Sequence, residues 1–369
     1  MKHVDVLVRG AGIVGRSLAL SLARGGLQVA LLGDDPTRPA GPDVRAYALN
    51  AASVGLLQSL KVWDALPPHA ATPVHEMHVA GDAPGAHIEF SAWEQQVREL
   101  AWIVDAAALE RELASAIRFA PHIQTVTTAV DAPLVALCEG KASAAREALG
   151  VRFERHDYGH RAIAARLTAS RPHANQAWQW FRSPDVLALL PFDTPQPGNS
   201  YGLVWSLPET RAQELLGLDD AAFEQALADA TGGAAGRLAL GSPRAGWPLM
   251  LGRASAWCGP GWALLGDAAH VVHPLAGQGL NLGLADVIAL SKVLAAREPW
   301  RALGDEKLLR RYARERAVPT WAMSQVTDGL LRLFAQEQPA LRELRNRGMD
   351  LVNHLHPLKR WLTARALDS

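Results

Sequence analysis

The alternation of apolar and polar positions predicts, from the start of the chain, a strand, a glycine turn, an amphipathic helix and a second strand. In "HVDVLVRGAGIVGRSLALSLARGGLQVALLGDD" the helix ends at Gly25-Gly26 and the second strand covers Val29 to Leu32, a βαβ unit. "RAYALNAASVGLLQSL" predicts a helix capped near Asn50 or Ser53, and the stretch from Pro67 to about Arg98 reads as irregular. A short strand at Ala101 to Val104 precedes the helix of "DAAALERELASAI". Between residues 175 and 207, "QAWQWFR", "VLALLPF" and "YGLVWSL" are short apolar or aromatic runs separated by Pro, Asp, Gly and Asn. That pattern predicts an antiparallel sheet in a second domain. After a helix near Asp219 to Ala230 the chain returns through "GWPLML" and "ALLGDAAH" to the first domain, and from about Leu308 to Leu367 it reads as mostly helical.

Bulk properties narrow the classes. The 369 residues are 49% hydrophobic and 20% charged, enough for a large core with no disordered signature. The 37 basic and 37 acidic side chains cancel, so a nucleic-acid partner has no global electrostatic support. Cys138 and Cys258 are the only cysteines, which excludes a disulfide framework and, without a Cys/His cluster, a structural zinc site; no metal is expected and a reducing cytoplasm fits. The early apolar run is broken by Asp5 and Arg9, a strand rather than a signal peptide. No stretch reaches the roughly 18 apolar residues of a spanning helix.

Gly10, Gly12 and Gly15 fit G-x-G-x-x-G between a strand and a helix. Gly10 permits the tight turn, Gly12 lets a pyrophosphate approach the backbone, and Gly15 allows close packing of helix on strand. The helix start offers free N–H groups to the phosphates. The acid that holds a ribose is expected at the end of the second strand, where Gly33 stands; Asp34, with Asp35 beside it, is either that ribose contact or a solvated turn acid. A second glycine-rich turn lies far downstream in "ALLGDAAHVVHPLAGQGLNLGLADV", where a strand exits through Gly266 and Asp267 and a helix begins near Asn281.

"GDAAHVVHPLAGQGLNLGLADV" resembles the GD motif of class A flavoprotein monooxygenases, and its wording is similar to the UbiH/UbiF-type ubiquinone-biosynthesis hydroxylases. The resemblance spans nearly the whole chain. "RAYALNAASVGLLQSLKVWDAL" resembles the family's R-x-x-A-L segment, "WIVDAAALEREL" a segment approaching the flavin, and "LCEGKASAAR" the DG motif that serves FAD and NAD(P)H together. It implies non-covalent FAD, with Asp267 on the ribityl chain and Arg45 and Arg111 as further cofactor contacts. It also places Pro274 and Gly277 in the flavin loop and the Gly279-Leu280-Asn281 backbone against the flavin pyrimidine, where a helix start stabilises negative charge.

The fold so implied is α/β: a Rossmann-like FAD-binding domain of the class A flavoprotein hydroxylase type, with an inserted antiparallel-sheet substrate domain and C-terminal helices. Residues 1–71, 99–150 and 247–300 are expected to form the FAD-binding domain, 72–98 and 151–246 the substrate domain, and 301–369 the C-terminal helical region. The implied reaction is hydroxylation of an aromatic ring: NAD(P)H reduces FAD, oxygen adds to the reduced flavin, and one of its atoms passes to the ring. The substrate expected is small and aromatic, a polyprenylated phenol of ubiquinone biosynthesis. Trp178, Trp180, Phe181, Phe192 and Trp205 either wall its cavity or are alternate core residues of a sheet. His273 and His270 flank the flavin loop; each is an acid–base candidate, or else His273 shapes the loop before Pro274 and His270 hydrogen-bonds locally.

Four places depart from the family pattern: Gly33 for the ribose acid, Ala106 for an Asn or Gln facing the flavin, Glu139 for the DG aspartate, and a short 121–132 segment where the family has a β-meander. Each is expected to remove a hydrogen bond or two, about 1 kcal/mol apiece, giving a weaker FAD binder. They also motivate an alternative function, a non-catalytic flavin-fold scaffold subunit of a quinone-biosynthesis complex. From Ala340 to Ser369 six Arg or Lys face three acids; a peripheral contact with the inner membrane or with such a complex, or a solvated basic face, accounts for that surplus.

Overall fold

The computed structural model describes residues 3–33, 43–81, 86–272 and 278–335. β1 (Val6–Arg9) runs into α1 (Ile13–Arg24) and returns as β2 (Val29–Leu32). β3 (Ala46–Leu49), α2 (Ala51–Ser59), β4 (Ala71–Val74), β5 (Glu76–Ala80), β6 (His87–Ser91) and the short α3 (Ala92–Gln95) follow. β7 (Ala101–Asp105) leads into α4 (Ala106–Phe119), then β8 (Ile123–Val126), β9 (Leu134–Leu137) and α5 (Ala144–Ala148). The long β10 (Phe153–Ala169) precedes β11 (Gln176–Arg182), β12 (Asp185–Phe192) and β13 (Ser200–Pro208). Next come α6 (Glu209–Gly217), α7 (Asp220–Thr231), β14 (Leu238–Leu240) and β15 (Ala245–Ala254). β16 (Cys258–Gly259), β17 (Trp262–Leu264) and β18 (His270–Val271) lead to α8 (Gln278–Ala295) and α9 (Glu306–Ala335).

The first sheet has the order β16-β17-β9-β1-β2-β8, with β17, β9, β1, β2 and β8 parallel. β1 is apolar throughout because both its faces are covered: Val6 and Val8 pack with α1, α4 and α8, and Leu7 with Ala30, Val126 and Val130. α1 stops at Gly25, and Gly26 at φ +86° accepts the left-handed turn that sends the chain into β2. Only the short edge strand β8 stands in the 121–132 segment.

The second sheet runs β18-β15-β10-β13-β12-β11-β5-β6, with β14 beside β10. Its pairings are antiparallel except β5 with β11. β10 is missing from the sequence-based assignment because its first half is charged and bulged between Asp157 and His160, with no helix or strand period to see. The described residues of the segment from Pro67 to Arg98 likewise form strands rather than irregular chain: β4 and β5 are short and pair with partners distant in sequence, β4 on β7 and β5 on β11. Pro73 is tolerated because β4 is an edge strand of the three-stranded sheet β3-β7-β4.

One face of the large sheet is sealed by α6 and α7, whose Ala212, Leu215, Phe223 and Leu227 cover Trp180, Leu187, Leu203 and Trp205. The other face turns Leu190 and Phe192 toward Val74 and Ile103 of the three-stranded sheet. That second face meets the elements around the dinucleotide turn.

Candidate active site

The turn after β1 is shaped by the absence of side chains. A Cβ on Gly10, which has φ +103°, would lie 2.4 Å from the Cys138 carbonyl oxygen, and one on Gly15 would lie 1.8 Å from that of Gly10. A Cβ on Gly12 would meet nothing within 4 Å. Gly12 is the N-cap of α1; no side chain caps the helix and its first turn holds no acid. The first-turn amides thus keep their positive end for an anion approaching the Gly12 backbone, a cradle that fits a pyrophosphate. At the end of β2 a Cβ on Gly33 would lie 2.3 Å from the Ala11 Cβ, so the turn itself fills the place of the ribose acid.

The downstream glycine-rich stretch reaches the same place. After β17 the chain bends through Gly266 at φ +58°, and Asp267 follows in a single 3-10 turn. Val14 of α1 is the bridge: a Cβ on Gly266 would lie 3.3 Å from its Cγ2, and one on Gly283 of α8 only 2.7 Å. α8 begins at Gln278, so Gly279, Leu280 and Asn281 form its first turn. The Asn281 side chain is buried and turned away from any ligand: its Oδ1 accepts from the Asn50 amide (3.1 Å) and the Ser53 hydroxyl (2.8 Å), and its Nδ2 donates to the Ala48 carbonyl (2.8 Å). Asn281 therefore fastens the helix start to β3 and α2. The Asp267 side chain is open to solvent, and the protein crowded around it pushes its carboxyl up, against the pull of His270, Lys141 and Arg45.

Two arginines approach from other elements. Arg45 is held by Asp43, with Nη2 to Oδ2 at 2.6 Å, and reaches Glu110 of α4 at 3.4 Å. Arg111 is exposed on α4; its neighbour Glu110 makes the contacts, through its carboxylate to Arg45 and its carbonyl to Arg16. Ala106 is buried at the start of α4, with no side chain to offer a ligand. Glu139 compensates for its extra length: Oε1 accepts from Arg9 Nε (2.8 Å), and Oε2 from the Ser143 hydroxyl (2.7 Å) and the Ala145 amide (3.3 Å). Arg146 is buried beneath it and donates to the carbonyls of Ala268 and Lys141, which ties the DG-like segment to the turn after Asp267.

The five aromatic residues do not form one wall. Trp178, Trp180 and Trp205 belong to the face under α6 and α7, Trp178 and Trp180 stacked 5.8 Å apart, whereas Phe192 sits on the opposite face with Ile103 and Val74 and Phe181 in a small cluster with Val79 and Val186. A set that the spacing did not reveal lies on the Phe192 face: Ala188, Leu190 and Val204, half-buried in central strands, and Arg166. Arg166 donates to the Arg45 carbonyl (2.6 Å) and Asp105 (3.3 Å), lies over the Phe192 ring, and has no hydrogen-bond partner for its buried Nη1. Its signal was a lone arginine in the apolar run "AIAARLTA". His270 Nε2 donates not to its own loop but to Asp286 of α8 at 2.7 Å, in the protein interior. Asp34, His273, Pro274 and Gly277 lie outside the described residues.

A glycine-turned helix start and a second helix start, brought together at the carboxyl edge of a parallel sheet, define a dinucleotide-binding flavoprotein. The chain matches the family described as FAD binding domain over residues 3–124 and 115–327, and it belongs to that family. It is 31% identical to the 3-demethoxyubiquinol 3-hydroxylase of Escherichia coli, over 96% of each chain. It is 30% identical to ubiquinone hydroxylase UbiL of Rhodospirillum rubrum, over 99% of this chain and 90% of that one. Among solved structures it is similar to PqsL of P. aeruginosa in complex with 2-aminobenzoylacetate, with a TM-score of 0.77 at 22% identity over 95% of this chain and 100% of that one. The chain is an FAD-dependent enzyme of the monooxygenase kind.

Proposed function

We propose that the protein hydroxylates the aromatic ring of a polyprenylated phenol in ubiquinone biosynthesis, using NAD(P)H and O2. The observation that carries this is the contact of Val14 with Gly266 and Gly283, which joins two helix starts distant in sequence at one crevice. FAD, when bound, supplies the redox and oxygen chemistry. The chain's own residues would bind and orient it: Gly10, Gly12 and Gly15 would admit the pyrophosphate, Asp267 would take the ribityl hydroxyls, and the first-turn amides of α8 at Gly279 and Leu280 would serve the pyrimidine edge. Arg45 would hold the cofactor from the β3 side, oriented by Asp43 at 2.6 Å.

For the ring to be hydroxylated we assign the sheet face of Ala188, Leu190 and Val204, whose apolar side chains are only half-buried, with Phe192 and Arg166 at its margin. Residues 72–98 and 151–246 are assigned to the substrate unit, because β5 and β6 extend the β10–β13 sheet. The substrate class rests on the similarity to the two ubiquinone hydroxylases. Among the described residues no helix is long and apolar enough to cross a membrane. We place the chain in the cytoplasm, with peripheral contact to the inner membrane or to a quinone-biosynthesis complex through its C-terminal helices; the exposed Val318 and Trp321 of α9 support such a contact.

The test is reduction of the FAD-loaded protein by NADH or NADPH under anaerobic conditions, with and without a prenylated phenol. Bleaching of the flavin that accelerates with the phenol, and hydroxylated product once O2 is admitted, is the expected result. A flavin that NAD(P)H leaves oxidised would favour the scaffold reading, for which Gly33 and Ala106 speak.

A further inference from the structure

Asp286 is the fully buried carboxylate of α8, and its contacts converge on the turn that carries Asp267. One oxygen, Oδ2, accepts from the Gly266 amide at 2.9 Å and from His270 Nε2 at 2.7 Å. Gly266 immediately precedes Asp267 and His270 follows it by three residues, so a single atom fastens both ends of the turn. The other oxygen, Oδ1, accepts from Arg316 Nε of α9 at 2.8 Å, and Arg316 also donates to the Leu282 carbonyl of α8. A Cβ on Gly283 would lie 3.4 Å from the Gly266 Cα, which seats α8 directly on the turn, and Trp257 packs against the His270 ring at 5.1 Å. Among the described residues assigned to cofactor binding none hydrogen-bonds both ends of the Asp267 turn; Asp286 does.

We propose that Asp286 is the positioning residue for Asp267: by clamping Gly266 and His270 to one oxygen it sets the direction in which the Asp267 carboxylate meets the sugar-alcohol chain of FAD. Asp286 touches neither FAD nor substrate and acts through the turn. The proposal rests on the assignment of Asp267 to the ribityl chain. A carboxylate buried only to stabilise the fold would lower stability when changed and would affect FAD binding independently of Asp267. A positioning residue loses its effect on FAD when the residue it positions is removed.

The experiment is a double-mutant cycle of FAD affinity, read by quenching of flavin fluorescence in full-length wild type, Asp267→Ala, Asp286→Asn and the double variant, with thermal unfolding of each without FAD. Asp286→Asn keeps the side-chain shape and one acceptor. The expected result is about a tenfold weaker Kd in each single variant and no further loss when Asp286→Asn is added to Asp267→Ala. Fold-losses that multiply in the double variant, or unchanged affinity in Asp286→Asn, would overturn the positioning role while leaving Asp267 as a contact. Unchanged affinity in Asp267→Ala would overturn the Asp267 assignment and the proposal with it. Should Asp286→Asn not fold, His270→Phe keeps a ring against Trp257 but removes the donor at one end of the clamp; it enters the same cycle, with the same expected non-additivity and the same contrary result.

Discussion

The turn at Gly10–Gly15 and the turn at Gly266–His270 approach one another around Val14 but are held by opposite means. The first is built by leaving atoms out: backbone touches backbone, and a single added carbon at Gly10 or Gly15 would collide with a carbonyl oxygen. The second is held by a buried charge cluster in which Asp286 gathers an amide, an imidazole and a guanidinium. Steric exclusion shapes a site for a phosphate, which needs only amides and room. Aiming a carboxylate at a sugar-alcohol chain needs direction, which hydrogen bonds to a fixed buried acceptor supply.

The difference is open to attack from both sides. The largest effect is expected for Asp286→Ala, which leaves the buried Arg316 and His270 without their acceptor; breaking such a cluster costs about 3–5 kcal/mol, measured by denaturant unfolding. Gly15→Val comes next, at about 3 kcal/mol, since its Cβ must displace backbone rather than a flexible side chain. Gly12→Ala separates binding from folding. Its Cβ enters open space, so the unfolding midpoint should stay where it is while FAD affinity falls about tenfold, near 1.4 kcal/mol, because the methyl group stands where the pyrophosphate approaches. An equal loss of stability in Gly12→Ala would contradict the reading of that glycine as a ligand cradle.

The smallest effect concerns Asp267 of the second turn and Asp286 beneath it on α8, which are shifted in opposite directions. Burial alone would raise the Asp286 carboxyl, but His270 and Arg316 outweigh it and hold it below the ordinary carboxylate range. Its contribution to stability is therefore present above a pH of about 4 and is lost as the pH falls through its lower folded-state value. Crowding holds Asp267 above that range, so its ionised form penalises the folded protein at neutral pH, and the penalty disappears below about pH 4. Asp267→Asn should accordingly raise the melting temperature of the FAD-free protein at pH 7, with the gap to wild type closing as the solution is acidified, even as FAD binding weakens. A lower melting temperature at pH 7 would mean that the ionised carboxylate stabilises the turn.

The βαβ start was legible because each of its elements has a period and a glycine stop, and Val29–Leu32 is found as a strand with those limits. Of the two residues read as the cap of α2, Asn50 and Ser53, it is Asn50 that accepts, from the Ser53 amide. β10 and the strands between Ala71 and Ser91 were not legible, because a strand is fixed by the partner it pairs with, and those partners lie far along the chain. The aromatic residues misled for a related reason: Trp205 and Phe192 lie on different strands, and only the register of β12 on β13 puts them on opposite faces. The role of Asp286 had a faint signal, one acid inside the apolar run "LNLGLADVIAL", yet its partners sit in two other elements that no local pattern connects.

The central claim is that the two turns hold the two ends of one FAD. It is tested most directly by equilibrium dialysis of FAD, ADP and riboflavin against wild type, Gly12→Ala and Asp267→Ala. One FAD per chain is expected, with Gly12→Ala weakening ADP but not riboflavin, Asp267→Ala weakening riboflavin but not ADP, and both weakening FAD. Binding of FAD that neither substitution alters, or a loss confined to one of the two turns, would contradict it.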